Sequence, residues 1–234
     1  MSENEQIRKG FRLTNGQIAL FVTLLIVLID QIIKVYVKTH YYLGEETRIT
    51  SWFRIVFVEN NGMAFGWEIG SKLFLTLFRI VFVGFIIYYI LKIKNLPSTR
   101  PGFIVCASLI LAGAIGNIID CMFYGLVFNN PMPPEVASFL PPGGGYGEFL
   151  HGRVVDMFFF PLFSFNWPEW MPLVGGQHFL FFQPVFNFAD AAITVGILVF
   201  IIFYSKNFKF SLNSEPSPAD SQNNGSEEDG VEKE

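Results

Sequence analysis

Charge is scarce in this chain. Lys, Arg, Asp and Glu make up only 15% of its 234 residues, where a soluble domain carries about a quarter. No basic patch with interleaved aromatics occurs, which removes nucleic acid as a partner class. The net charge of −4 says little about partners, because residues 211–234 alone hold seven acids and one lysine. Cysteine is rarer still. Cys106 and Cys121 lie fifteen residues apart on one predicted helix, more than about 20 Å along its axis and beyond disulfide reach. Both read as buried structural thiols. The three histidines, His40, His151 and His178, form no H-E-x-x-H, and there is no C-x-x-C, P-loop or G-x-S-x-G. Ser71 and Lys72 are neighbours, but adjacency does not make a Ser-Lys dyad. Metal, nucleotide and serine chemistry are therefore unsupported, and no cofactor or metal is expected.

What is abundant is apolar: 51% of the residues, 28 of them Phe, with a mean hydropathy of +0.41. The arrangement decides the class. Four apolar runs, about 16–37, 73–91, 103–123 and 186–204, each approach the ~20 residues a helix needs to cross the hydrocarbon of a bilayer. The first starts like a signal peptide, but Asp30, Gln31 and Lys34 interrupt it and no small-x-small cleavage site follows, so it reads as an uncleaved anchor. The expected fold is an α-helical membrane protein with four transmembrane helices, a small β-sheet subdomain and extended loops on the outer face.

Four crossings put both termini on one side. Arg8, Lys9, Arg12, Lys92, Lys94, Arg100, Lys206 and Lys209 fall in that compartment, eight against the five of Lys38, Arg48, Arg54, Lys72 and Arg153 opposite. The bias places residues 1–15 and 206–234 in the cytoplasm and residues 16–205 in a membrane domain. Residues 206–234 are expected to be disordered, as their polar, aromatic-poor composition implies. An outer β region is expected at about 48–66, because Ile49–Val58 is rich in β-branched and aromatic residues and Asn60-Asn61-Gly62 signals a turn. Two outer inserts follow, about 124–151, rich in Pro and Gly, and about 158–185, dense in Phe and Trp and suited to the membrane interface.

Ionisable groups near a bilayer are costly and point to function by default. Asp30 and Lys34 share a helix face and can pair, although such a pair could also merely end a helix at the interface. Asn117 and Asp120 share a face of a helix rich in small residues (Ala107, Ser108, Ala112, Gly113, Ala114, Gly116), and Asp120 sits where the helix dipole disfavours its charge. Asp156, taken alone, could be an ordinary solvated acid. Asn187 could be an N-cap and Asp190 a favourable first-turn acid. Arg79 can snorkel from the second helix to the outer surface and receives no role. Together, Asp30, Asp120, Asp156, Asp190, Asn60, Asn117 and Asn187 all map to one membrane face. Two carboxyls brought close share a proton, and such a pair can activate a water against a peptide carbonyl.

These residues fall in five ordered blocks: Asp30-Gln31-x-x-Lys34, Asn60-x-Gly62-x-Ala64-Phe65, Gly113-x-x-Gly116-Asn117-x-x-Asp120, Gly152-x-Val154-Val155-Asp156 and Phe186-Asn187-x-Ala189-Asp190. In them the chain resembles lipoprotein signal peptidase, the type II signal peptidase of bacteria, over residues 30–190. The resemblance implies a membrane aspartyl endopeptidase that cuts diacylglyceryl-modified prolipoproteins before the lipidated cysteine. It implies Asp156 and Asp190 as the catalytic pair; the dipole of the fourth helix favours charge on Asp190, which makes Asp190 the expected carboxylate and Asp156 the expected acid. Asp30, Lys34, Asn60, Gly62, Ala64, Asn117, Asp120 and Asn187 then order the site or contact substrate. It further implies the cytoplasmic (inner) membrane and sensitivity to the cyclic lipopeptide globomycin. The substrate's lipid is expected to lie between helices, and a monomer is expected because no exposed helix face demands a partner. Cys121 departs from the family's usual Arg, with Arg153 as the expected source of the missing charge. The inserts flanking Asp156 are longer than usual and read as a lid, a partner surface or simply an extended ordered loop. Two rival readings are a proton-coupled transporter module and an inactive membrane scaffold.

Overall fold

The computed structural model describes residues 13–60 and 72–204. Gly62 and Ala64, the basic N-terminal residues Arg8, Lys9 and Arg12, and residues 206–234 lie outside them.

Helix α1 spans Asn15–His40 and starts at a reciprocal cap: the Thr14 hydroxyl accepts from the Gln17 amide (3.2 Å) and the Gln17 side chain accepts from the Thr14 amide (2.9 Å). Leu20, Phe21, Leu24, Leu28 and Ile32 are exposed along it, as expected of a face turned to lipid. Helix α2 spans Lys72–Ile93 and is likewise exposed over Phe74, Phe78, Val81, Phe85 and Tyr88. Helix α3, Pro101–Ile119, begins with the Pro that the first turn tolerates and is the most enclosed, packed against α1, α2 and α5. Its small residues make this closeness possible: a side-chain carbon at Gly116 would stand 2.6 Å from the Asp30 carboxylate. At Asp120–Tyr124 the helix widens into a π-helical turn before the short helix α4, Gly125–Val127. Helix α5 spans Phe188–Phe203, beginning two residues after the expected 186. Phe186 belongs instead to a strand, and Asn187 is the cap. Three helical stretches are long and apolar enough to cross a membrane and α5, at 16 residues, is a shorter apolar one, making a four-helix, multi-pass membrane fold.

The predicted outer sheet exists with its own bounds. Strands β1 (Glu46–Arg48), β2 (Arg54–Asn60), β3 (Val154–Phe159) and β6 (Val185–Phe186) form an antiparallel sheet in the order β1-β2-β3-β6. Its register sets Val58 opposite Asp156 and Asn60 opposite Val154, past an irregularity between Ile55 and Val58. Val37 of α1, Phe57 of β2 and Val155 and Met157 of β3 make a core with Tyr124, Phe128 and Ala137. The first insert thus contributes three core residues, Tyr124, Phe128 and Ala137, and is folded down onto the sheet. The second insert forms a separate ribbon, β4 (Phe163–Asn166) paired with β5 (His178–Phe181). Strand β6 leads directly into α5, so the sheet sits at the end of the bundle where α5 begins.

Candidate active site

Helix α1 brings Asp30, Gln31 and Lys34 to the bundle interior, where Asp30 and Lys34 are fully buried. The Lys34 ammonium uses its three donors on three acceptors: Asp30 Oδ2 at 2.9 Å, Asp120 Oδ2 at 2.7 Å and Asn117 Oδ1 at 2.9 Å. Both carboxylates find further donors. Asp30 Oδ1 accepts from the Ala189 amide in the first turn of α5 (2.9 Å). Asp120 accepts from Gln31 Nε2 (2.9 Å) and the Val155 amide of β3 (3.3 Å). The Gln31 carbonyl in turn accepts from the Tyr124 hydroxyl (3.1 Å). One cation and two carboxylates so tie α1, α3, α5 and β3 together. A buried charge is tolerated only when paired and hydrogen-bonded in this way.

Asn117 carries the network onward. Its carbonyl accepts from Lys34 and from Asn187 Nδ2 (3.1 Å), and its amide donates to Asp190 Oδ1 (2.8 Å). Asn187 then holds both remaining acids. Its amide donates to Asp156 Oδ1 (2.7 Å), and its carbonyl accepts from the Asp190 amide (2.9 Å) as the cap of α5. The Asp190 carboxyl closes the cap on the Asn187 amide (3.4 Å). The capping geometry expected of Asn187 and Asp190 is therefore present, and the same two side chains also reach Asn117 and Asp156. A structural role and a place in the cluster coincide.

The two acids sit in unlike surroundings. Asp190 is half-buried, its charge at the N-terminal end of α5 where the helix dipole favours an anion. Asp156, on β3, is 4% exposed. Burial pushes its carboxyl up to about 7, and the neighbouring Asp190 charge pushes the same way; hydrogen bonds from Asn187 and Asn60 offset part of the rise. Near neutral pH Asp156 therefore keeps a share of its proton beside the Asp190 carboxyl, with the Asn60 side chain of β2 also hydrogen-bonded to it. A proton donor and a proton acceptor held this way can activate a water and polarise a carbonyl.

Gly152 places β3. A side-chain carbon there would collide with the Asp120 carbonyl, and the Gly152 amide donates to the Cys121 carbonyl (2.8 Å). Arg153 does not lie where the missing charge was expected. Its guanidinium pairs with Glu59 (2.8 Å) and Asn130 (3.3 Å) and stands over the Tyr146 ring. It is Arg79 of α2 that reaches Cys121, donating to Sγ at 3.6 Å. Glu59 also pairs with Lys38, which is 1% exposed and ringed by Phe57, Phe128 and Tyr146. From the sequence alone, Lys38, Glu59 and Tyr124 take no place in the site, and Gln31 and Arg79 no partner. Lys38 is four residues after Lys34 on the same helix, a spacing that could have flagged it; Glu59 and Tyr124 offer no such signal. Among the described residues no group of three or more His, Cys, Asp or Glu side chains could hold a metal ion.

Residues 22–206 match the family model described as Signal peptidase (SPase) II. The chain is 47% identical over 204 residues to a lipoprotein signal peptidase of Porphyromonas gingivalis strain W83, covering 87% of this chain and 90% of that one. It is 34% identical over 187 residues to one from Amoebophilus asiaticus, covering 77% and 75%. In fold it resembles a bacterial membrane enzyme solved by the in meso method, with a TM-score of 0.54 at 24% identity over 81% of this chain and 93% of that one. A second such structure gives 0.52 at 22% identity over 85% and 92%.

Proposed function

The chain belongs to the signal peptidase II family, and from that premise we propose that Asp156 and Asp190 are the catalytic pair of a membrane aspartyl endopeptidase acting on diacylglyceryl-modified prolipoproteins. The observation that carries this reading is Asn187, which bonds the buried Asp156 and the half-buried Asp190 at once. In the proposed reaction the Asp190 carboxylate takes a proton from a water as its oxygen attacks the scissile carbonyl carbon. Asp156 gives its proton to the carbonyl oxygen, so a neutral gem-diol forms without an isolated oxyanion. Collapse returns the oxygen proton to Asp156, while Asp190 passes its proton to the departing amine. Both acids end as they began, and the water is consumed.

Asn60 and Asn117 hold the acids from either side, and Asp30, Lys34 and Asp120 fix the helices that carry them. Gly62 and Ala64 match family motif positions that order the site or contact substrate. Arg153 orders β3 through Glu59. The lipid-bearing cysteine would sit at the membrane boundary beside α5, with its acyl chains in the bilayer and the peptide crossing the sheet end. The charge bias of the loops supports a cytoplasmic membrane with both termini inside, residues 16–205 forming the enzyme and the carboxylates facing outward. A monomer contains every site residue named, and a globomycin-type cyclic lipopeptide is the expected inhibitor.

The test is incubation of purified protein in detergent with a diacylglyceryl-modified prolipoprotein, with products read by mass. Cleavage immediately before the lipidated cysteine supports the reading. An intact substrate together with proton flux in liposomes would turn it toward a transporter module; an intact substrate without flux would turn it toward a scaffold.

A further inference from the structure

The second insert does something the peptidase chemistry does not require. Strands β4 and β5 pair with Phe163 opposite Phe181 and Phe165 opposite Phe179. Because side chains alternate across a strand, all four Phe rings fall on one face. They form two cross-strand pairs, Phe163 stacked on Phe181 at 4.7 Å and Phe165 tilted against Phe179 at 5.1 Å, with Trp167 edge-on to Phe165 at 4.8 Å. The ribbon packs chiefly on itself, and Phe163, Phe165 and Phe181 stay exposed. At its tip Trp170 is 79% and Leu173 96% exposed. A lone two-stranded ribbon is marginal in water, and an exposed apolar patch of this kind marks a contact surface.

We propose that the β4–β5 ribbon is an interfacial anchor, its aromatic face and its Trp170–Leu173 tip resting in the lipid leaflet on the carboxylate side of the membrane. Three observations choose lipid over a protein partner. Residues 161–184 contain no Lys or Arg and a single acid, Glu169, so the segment lacks the charges that give a protein contact its register. Its base lies beside the start of an apolar helix: it leaves the sheet after Phe159 and returns at Val185, paired with Phe159 and three residues before α5 begins. Finally, aromatic contacts continue from the foot of the ribbon onto the four-stranded sheet, since Phe182 meets Phe186 at 6.0 Å, Phe186 stacks on Phe160 at 5.6 Å, and Phe160 stacks on Phe53 at 4.9 Å. Trp at the headgroup level is what a membrane boundary favours, and Phe and Leu are the residues an interfacial segment buries just beneath it. The ribbon joins β3 and β6, and so Asp156 and Asn187, so its seating in lipid would fix the height of the carboxylates above the hydrocarbon.

The experiment uses the full chain in liposomes of phosphatidylethanolamine and phosphatidylglycerol, with and without bromine on the upper acyl chain. The emission lost in Trp170→Phe isolates Trp170 from the other tryptophans. That component is expected to be quenched by the brominated lipid and protected from aqueous iodide. Quenching by iodide without quenching by bromolipid would place the tip in water, and quenching by neither would place it under a second copy or another protein; each overturns the proposal. A nitroxide at Leu173→Cys gives an independent reading, because Cys106 and Cys121 are buried. Its relaxation is expected to respond to oxygen dissolved in the bilayer rather than to a water-soluble metal chelate, and the reverse response overturns the anchor. Neither readout depends on peptidase activity.

Discussion

Lys34 and Lys38 stand one turn apart on the same helix, and both are buried to within 1% exposure, yet they serve different ends. Lys34 faces two carboxylates and an asparagine, and its contacts lead through Asn117 to Asp190 and through Asn187 to Asp156. Lys38 faces one carboxylate, Glu59, which it shares with Arg153 inside a ring of Phe57, Phe128 and Tyr146. The first cluster joins helices to the acids. The second clamps the first insert and β2 against the end of α1. Burial of a lysine therefore does not by itself mark a reacting centre. What distinguishes the two is whether the polar chain continues to carboxyls of unequal exposure.

Substitutions can break this comparison in order of expected effect. Asp156→Asn or Asp190→Asn removes a proton donor or acceptor, so turnover should fall by about 10²–10⁴-fold or more, with the melting profile preserved. Lys34→Met strands Asp30 and Asp120 as buried charges, at a cost of about 3–5 kcal/mol; thermal unfolding in detergent should show the loss, and the fraction that still folds should be inactive. Turnover should decline as pH rises through about 7, where Asp156 gives up its proton. The linked stability has a definite sign. An unfolded chain releases this proton near the ordinary carboxylate value of 3.8, so raising the pH from there to about 7 favours unfolding. Asp156→Asn should flatten that slope. Glu59→Gln leaves Lys38 and Arg153 without their shared anion and should cost about 1–3 kcal/mol, while activity per folded molecule persists; activity lost at full stability would show the clusters to be one. Arg153→Gln, on a side chain 31% exposed, should change stability by about 1 kcal/mol or less.

Much of this was legible in the residues. Helix runs, the outer sheet and the convergence of Asp30, Lys34, Asn117 and Asp120 follow from charges that a bilayer would exclude unless paired. Asn187 and Asp190 were readable as a cap, and capping is what they do, but one-dimensional spacing could not show that the cap's amide also reaches Asp156. Lys38 ends an apolar run and so reads as a loop cation; its partner is Glu59, on a strand 21 residues later, with the rings of Phe57, Phe128 and Tyr146 around it. The stand-in for a charge beside Cys121 was sought in Arg153, near Asp156 in sequence. Helix packing instead brings Arg79, 42 residues away. The second insert's composition pointed to an interface, but not to a paired ribbon with its aromatics on one face.

The central claim is that the two acids, held by one asparagine, do the chemistry. Wild type, Asp156→Asn, Asp190→Asn and Glu59→Gln should be compared in one prolipoprotein cleavage assay, each normalised to folded protein. The account predicts cleavage before the lipidated cysteine by wild type and Glu59→Gln, and none by either aspartate variant. Full activity in either folded aspartate variant would contradict it.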